Sequence, residues 1–269
     1  MGASIVGLAF ILMLVLLFLK VPAFVSILAG SVVYFALTPD VPTQIIAQRV
    51  IAGMESIPLL AIPFFIGAAA YMNYAGVSNR IYDFADVLTG HVVGGLAQVN
   101  VLVSTLMGGM SGSNLADASM DAKMLVPQMV RKGYSNAFSS VVTAFSAIIT
   151  PLIPPGIAMI LYGSLANISI GKLFVAGFGP GILLCIALMI MVHFISKKRG
   201  YKPSRDKAAT ASEFIDAFKK AFLPLLLPLV IIGGIRIGIF TPTEAGSAAV
   251  VYALFLGLIV YREMGFKEF

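Results

Sequence analysis

The sequence predicts an all-α integral membrane protein, a polytopic helical bundle that contains a re-entrant hairpin and a broken helix. Three observations carry this. Hydrophobic residues are 59% of the chain and charged ones 11%, where a soluble domain is roughly a quarter charged; mean hydropathy is +0.98. Apolar stretches of helix length follow one another with few residues between them, and some are interrupted by Gly/Ser or Pro clusters where a plain span would run on. A single soluble core could not cover that much apolar surface, whereas a bilayer is a solvent for it.

Residues 4–19 and 22–37 form a first pair, separated only by Lys20 and Val21, and Pro22 suits a first helical turn. The opening stretch lacks a basic leader and runs at once into more membrane sequence, so it reads as a retained helix rather than a cleaved signal. Residues 38–56 turn amphipathic. Ile45, Ile46, Val50 and Ile51 share one face, with Gln44, Gln48, Arg49 and Glu55 around the rest, the pattern of an arm lying in the membrane interface. A scaffold pair with its arm therefore occupies 1–56.

Residues 57–75 are apolar, with Pro58 and Pro63, and a polar stretch follows at 78–91. In 92–131, apolar sequence runs into GGMSGSN at 108–114 and then LADASMDAKMLVPQM, with Arg131 and Lys132 beyond. Neither half is a comfortable span. Two helices meeting at a Gly/Ser tip explain both, and such backbone is tolerated at membrane depth where protein or a watery cavity surrounds it. The competing assignment makes 57–90 the hairpin and 92–131 the segment after it. A helix over 135–149 is broken by TPLIPPG at 150–156 and resumes to 166, and 172–196 is a full span. A basic connector, 197–221, leads to a last pair, 222–240 and 243–261, around TPTEAG.

Lys197, Lys198, Arg199, Lys202, Arg205, Lys207, Lys219 and Lys220 crowd that connector, which places it in the cytoplasm. Counting spans from there puts Arg80, Arg131, Lys132 and Arg262 inside and the N-terminus outside; Arg49 of the arm is the exception. Charge placed this way makes no groove for nucleic acid. Cys185 is the single cysteine and reads as an apolar filler, so a disulfide framework and a thiolate metal site are excluded.

The opening pair starts outside, turns inside at Val21 and Pro22, and leads to an arm. The closing pair starts inside, turns outside at Thr241 and Pro242, and leads to a candidate second arm at 265–269. AGSVVY at 29–34 partly matches AGSAAVVY at 245–252. Two copies of opposite orientation are the plan of many secondary transporters. On this reading 222–269 begins a second inverted repeat that is truncated after its first pair, as expected of a fragment or one half of a split permease.

Ser111, Ser113 and Asn114 offer hydroxyl, amide and unwound backbone oxygens, the donors a hard cation such as sodium takes. The three prolines and the glycine of 150–156 strip carbonyls of their helical partners. Thr150 and Gly156 are therefore paired with the tip as a sodium site, with Pro154 and Pro155 beside it as substrate or coupling positions. The plain alternatives are a turn-rich loop and a packing kink. Asp117 and Asp121, four residues apart, share a helical face just past the tip. Ionisable groups inside a membrane mark functional sites by default, and two roles stay open: bracing or capping the tip, or carrying a coupling ion or proton. Acid–base catalysis on a lipid-borne substrate would be a third, but His91 and His193 sit at segment ends and complete no catalytic set. Thr243 and Glu244 read as a helix start and Arg236 as a snorkelling cation. No organic cofactor is expected.

SGSNLADASMDAKMLVPQMVRKGYS, ITPLIPPGIAMILYGSLANISIGKLFVAGFGPGILL and GIRIGIFTPTEAGSAAVVYALFLGLIVYRE together resemble the large membrane subunit of the TRAP transporters, the tripartite ATP-independent periplasmic transporters of bacteria and archaea. The match runs in order over essentially the whole chain. It implies an elevator-type, sodium-driven importer of organic acids such as C4-dicarboxylates or sugar acids, resident in the cytoplasmic (inner) membrane. It implies as partners a small four-helix membrane subunit and a soluble periplasmic binding protein. By this resemblance Ser111, Ser113, Asn114 and Asp117 lie at the first substrate-side hairpin, facing the helix break at 150–156, within a first transport-domain half at 57–196. Two features depart from the pattern. Asp121 and Lys123 stand where many members carry small uncharged residues, and members are considerably longer, with a second hairpin and a second break. An ion-coupled transporter of similar plan but other descent is the alternative.

Overall fold

The structure is a computed structural model and describes residues 2–38, 42 and 44–265. Its described elements are helical throughout, and they fall into two compact units, Met1–Ser56 and Ile57–Phe269.

In the first unit, α1 (Gly2–Phe18) and α2 (Ala23–Leu37) pack as a hairpin across the short turn at Lys20. Ser26 is buried and its hydroxyl donates to the Pro22 carbonyl at 3.3 Å, which binds the start of α2 to the turn. Then α3 (Gln44–Met54) follows with no buried residue. Its Val50, Ile51 and Met54 are exposed, as an arm that rests its apolar face in an interface requires.

The second unit begins with a 3-10 turn, Ile57–Leu60, and continues as α4 (Ala61–Tyr74), α5 (Val77–Thr89), α6 (Gly95–Ser111), α7 (Asn114–Arg131) and α8 (Asn136–Ser146). A 3-10 turn, Thr150–Leu152, separates α8 from α9 (Ile157–Ala166). The remainder is α10 (Ile170–Arg199), α11 (Ala211–Arg236) and α12 (Pro242–Phe255), the last extended by a π turn, Leu256–Val260. Among the described residues, four helical stretches are long and apolar enough to cross a membrane: Ile57–Tyr74, Ile170–Arg199, Ala211–Arg236 and Pro242–Val260. The stretches Asn136–Leu152 and Ile157–Ala166, bent by 44° at their break, make a fifth if taken as one span. Neither α6 nor α7 is among them. Of the two segments competing for the hairpin, then, 57–74 has the composition of a span and 92–131 does not.

Buried on nearly every side, α6 packs against α4, α5, α7, α8, α10 and α11. A helix so enclosed needs no polar face, so each polar residue on it has to be explained by a partner. That requirement defines the site below.

One boundary differs from the sequence reading. The connector expected over 197–221 is already helical from Ala211. The cause is a capping box: Glu213 N–H donates to Thr210 Oγ1 at 3.3 Å while Thr210 N–H donates to Glu213 Oε2 at 2.8 Å. Phe214 and Phe218 then pack on Phe84 of α5, with ring centroids 6.0 and 5.8 Å apart. The basic residues had masked this period. Part of the irregular stretch is pinned too, since the Gly90 carbonyl accepts from Ser204 N–H at 2.8 Å and Ser204 Oγ donates to Asp86 at 2.6 Å. The candidate second arm at 265–269 lies outside the described residues except for Gly265.

The charge-based orientation is testable on an almost clean background, because Cys185 is the single cysteine and is buried. Lys207→Cys should react with a membrane-impermeant maleimide in inside-out vesicles and stay unlabelled in right-side-out ones. The reverse pattern would invert the topology.

Candidate functional site

The tip between α6 and α7 seats against the break between α8 and α9. Gly112, at φ +57°, closes α6, and its carbonyl accepts from Ile157 N–H, the first of α9, at 3.2 Å. A Cβ on Gly112 would collide with the Pro155 carbonyl oxygen, so only glycine lets the two backbones approach this closely. Pro154, Pro155 and Gly156 are all buried behind the tip. Ser113 is the N-cap of α7, its hydroxyl accepting from Ala116 N–H at 3.5 Å.

Below the tip runs a ladder of buried polar groups. Thr150 Oγ1 donates to Asp117 Oδ2 at 2.8 Å, with the Ser104 carbonyl as a second acceptor at 3.3 Å. Ser104 Oγ donates to Asp121 Oδ2 at 2.8 Å. One turn further from the tip, Asn100 Nδ2 donates to Thr143 Oγ1 at 2.8 Å, and Ser146 Oγ donates to Asn100 Oδ1 at 2.6 Å. Asn100, Ser104, Gly108 and Ser111 repeat every three or four residues on one face of α6, while Thr143, Ser146 and Thr150 do so on the segment opposite. The result ties the hairpin to the broken helix side chain by side chain.

Asp117 and Asp121 are 1% and 0% exposed, and among the described residues no Lys or Arg forms an ion pair with either. Each has one oxygen, Oδ1, that is buried without a hydrogen-bond partner, and Ser111 Oγ is in the same condition. A buried polar atom left unpaired costs about 1–3 kcal/mol, and a buried anion costs more. Three oxygens, at the tip and along the first turns of α7, are therefore left without a partner. Among the described residues no cluster of three His, Cys, Asp or Glu side chains is placed to hold a metal, so a transition-metal site is not what this donor set describes. Hydroxyls and carboxylates suit a hard ion.

Of the residues nominated from the sequence, the structure brings together Ser111, Asp117, Asp121 and Thr150, with Gly156, Pro154 and Pro155 backing the tip. Ser113 is half-buried and serves the cap. Asn114 is exposed. The cap therefore belongs to Ser113, and Asp117 instead braces the tip against Thr150. Sequence reading missed Asn100, Ser104, Thr143 and Ser146. Their signal was present as polar residues at helical spacing inside apolar stretches, but nothing in the sequence paired one stretch with the other.

A cavity of about 280 Å³ opens beside the tip, with Ser111, Ser113, Asp117 and Met120 on one wall and Ile66, Ala70 and Asn73 of α4 on the other. A second, about 430 Å³, shares Asn73, Ala116 and Met120 with it and adds Ser78, Asn79, Ser119 and Lys123. Lys123 is exposed there and is the one charged side chain on that cavity's wall.

Comparison with known proteins bears on this geometry. The profile of the family described as the tripartite ATP-independent periplasmic transporter, DctM component, matches residues 10–269. The chain belongs to the DctM family. Among its relatives are the sialic acid TRAP transporter permease protein SiaT of Haemophilus influenzae, 42% identical over 99% of this chain and 43% of that protein, and the sialic acid large permease SiaM of Vibrio cholerae, 44% identical over 94% and 59%. The C4-dicarboxylate large permease DctM of Pseudomonas aeruginosa is 37% identical over 90% and 56%. The chain thus spans about half the length of the curated relatives it matches. As DctM relatives are transporter permeases, the catalytic reading of Asp117 and Asp121 is set aside, and the all-helical membrane class expected from composition holds.

Proposed function

We propose that this DctM chain forms part of the membrane pathway of an organic-acid importer, coupled to sodium held between the tip at 111–113 and the break at 150–156. The observation that supports the ion reading is the set of buried, unpartnered oxygens on Asp117, Asp121 and Ser111 beside a hydroxyl, Thr150, that already bonds one carboxylate. A cation there would be held by Asp117, Asp121 and Ser111. It would neutralise the carboxylates and fix the tip, so that the adjoining cavity presents Ser113 and Asn73 to a carboxylate-bearing substrate. Lys123, exposed in the neighbouring cavity, would offer such a substrate a counter-charge.

The relatives named above act on sialic acid and on C4-dicarboxylates, which share the carboxylate this pocket would favour. By the same family argument the working complex adds a small four-helix membrane subunit and a periplasmic binding protein, in the inner membrane of a bacterium or archaeon. Movement of 57–196 as an elevator past the scaffold belongs to this proposal as well.

Thr150→Ala in the complete permease should raise the sodium concentration for half-maximal uptake by at least about tenfold, because a hydrogen bond to a charged group contributes roughly 1.5–3 kcal/mol. Ser113→Ala should act less, through an N-cap worth about 1 kcal/mol. Uptake into proteoliposomes over a sodium series measures both, and an unchanged sodium dependence in Thr150→Ala would place the ion elsewhere.

A further inference from the structure

An apolar groove of about 480 Å³ runs between α8 and α10, far from the tip along the chain. Val141, Phe145, Ala187, Met191 and Ile195 are on its walls, and Arg199 is its one charged lining residue. Arg199 stands at the end of α10 beside Lys197 and Lys198. Its guanidinium lies 5.3 Å from the Phe138 ring centre and its Nη1 donates to Ser135 Oγ at 3.4 Å. Next to it Tyr134 and Tyr201 stack with centroids 4.4 Å apart, the kind of aromatic pair found at a headgroup level.

Length and charge identify the occupant. From Leu184 to Arg199 the groove follows α10 for about 22 Å at 1.5 Å per residue. One leaflet with its headgroup layer is about 20–22 Å thick. A single acyl chain lying along α10 matches that length, and the lining it would meet is apolar until Arg199. The charge agrees: the cation closes the end that the basic connector assigns to the cytoplasmic leaflet, where anionic lipids gather around Lys and Arg.

We propose that this groove is a binding site for one anionic phospholipid of the cytoplasmic leaflet, its acyl chain between α8 and α10 and its phosphate on Arg199. The site does not depend on the sodium reading. Native mass spectrometry of the full permease, titrated with phosphatidylglycerol or phosphatidylcholine, tests it. The wild type should keep one phosphatidylglycerol that survives detergent exchange and should not keep phosphatidylcholine. Arg199→Gln should lose that lipid, and Ala187→Trp, which fills the exposed wall, should lose it while leaving the cation in place. Both variants should still elute as monodisperse protein. Retention of phosphatidylglycerol by both variants at wild-type level would overturn the proposal. So would a photo-cross-linker at position 187 that captures a polypeptide instead of lipid.

Discussion

Asp117→Asn is expected to raise the half-saturating sodium concentration of the complete permease tenfold or more, a change of about 1.4 kcal/mol for each factor of ten. The substitution is close to isosteric, and the amide oxygen can still accept from Thr150, whose bond to Asp117 is 2.8 Å long. What it removes is the negative charge, and it puts an N–H donor where an unpartnered oxygen now stands. A cation would then meet an amide dipole instead of an anion. Asp121→Asn should have a smaller effect, since Asp121 sits one turn further from the tip and its other oxygen is already bonded by Ser104. Sodium titration of uptake in the two variants decides the matter. Equal, mild effects would leave both carboxylates as braces only.

Gly112→Ala should abolish transport and lower the yield of folded protein. Two costs add. An L-residue at φ +57° costs roughly 1–2 kcal/mol, and the new methyl collides with the Pro155 carbonyl, which is backbone and cannot swing away. Tip and break would have to part, which also breaks the bond from Ile157 N–H to the Gly112 carbonyl. Gly133 supplies the control, because it too has positive φ, +90°, but open space where a Cβ would go. Gly133→Ala should therefore show the conformational cost alone, with transport retained. Size-exclusion profiles and uptake, measured for both, separate the two costs; similar behaviour of the pair would remove the clash argument.

Much of this arrangement was legible before any coordinates, for reasons that are physical. The Gly/Ser run at 108–114 and the prolines at 150–156 stand out because each must interrupt a helix, and interrupted backbone in a membrane needs a partner. The two interruptions do meet, through Gly112 and Ile157. Asp117 was visible as an ionisable group past the tip, but its partner was not, since Thr150 lies 33 residues away and only the packing of α6 against the broken helix brings it near. Ser104 illustrates the limit more sharply. A serine in an apolar helix commonly bonds its own backbone, and nothing local says that this one instead reaches Asp121. Lys123 is close to Asp121 in sequence, yet residues two apart on a helix point to different sides, and the structure puts Lys123 in another cavity. The start of α11 was missed because Lys219 and Lys220 drew the eye to charge, while Thr210, Glu213, Phe214 and Phe218 carried the helix signal.

Equilibrium binding of radioactive sodium to the purified full permease, without substrate, tests the central claim most directly. Saturable binding is expected in the wild type, weakened at least about tenfold in Thr150→Ala and further still in Asp117→Asn, with Gly133→Ala unchanged. Sodium binding of equal affinity and stoichiometry in the wild type, Thr150→Ala and Asp117→Asn would contradict a site between the hairpin tip and the helix break.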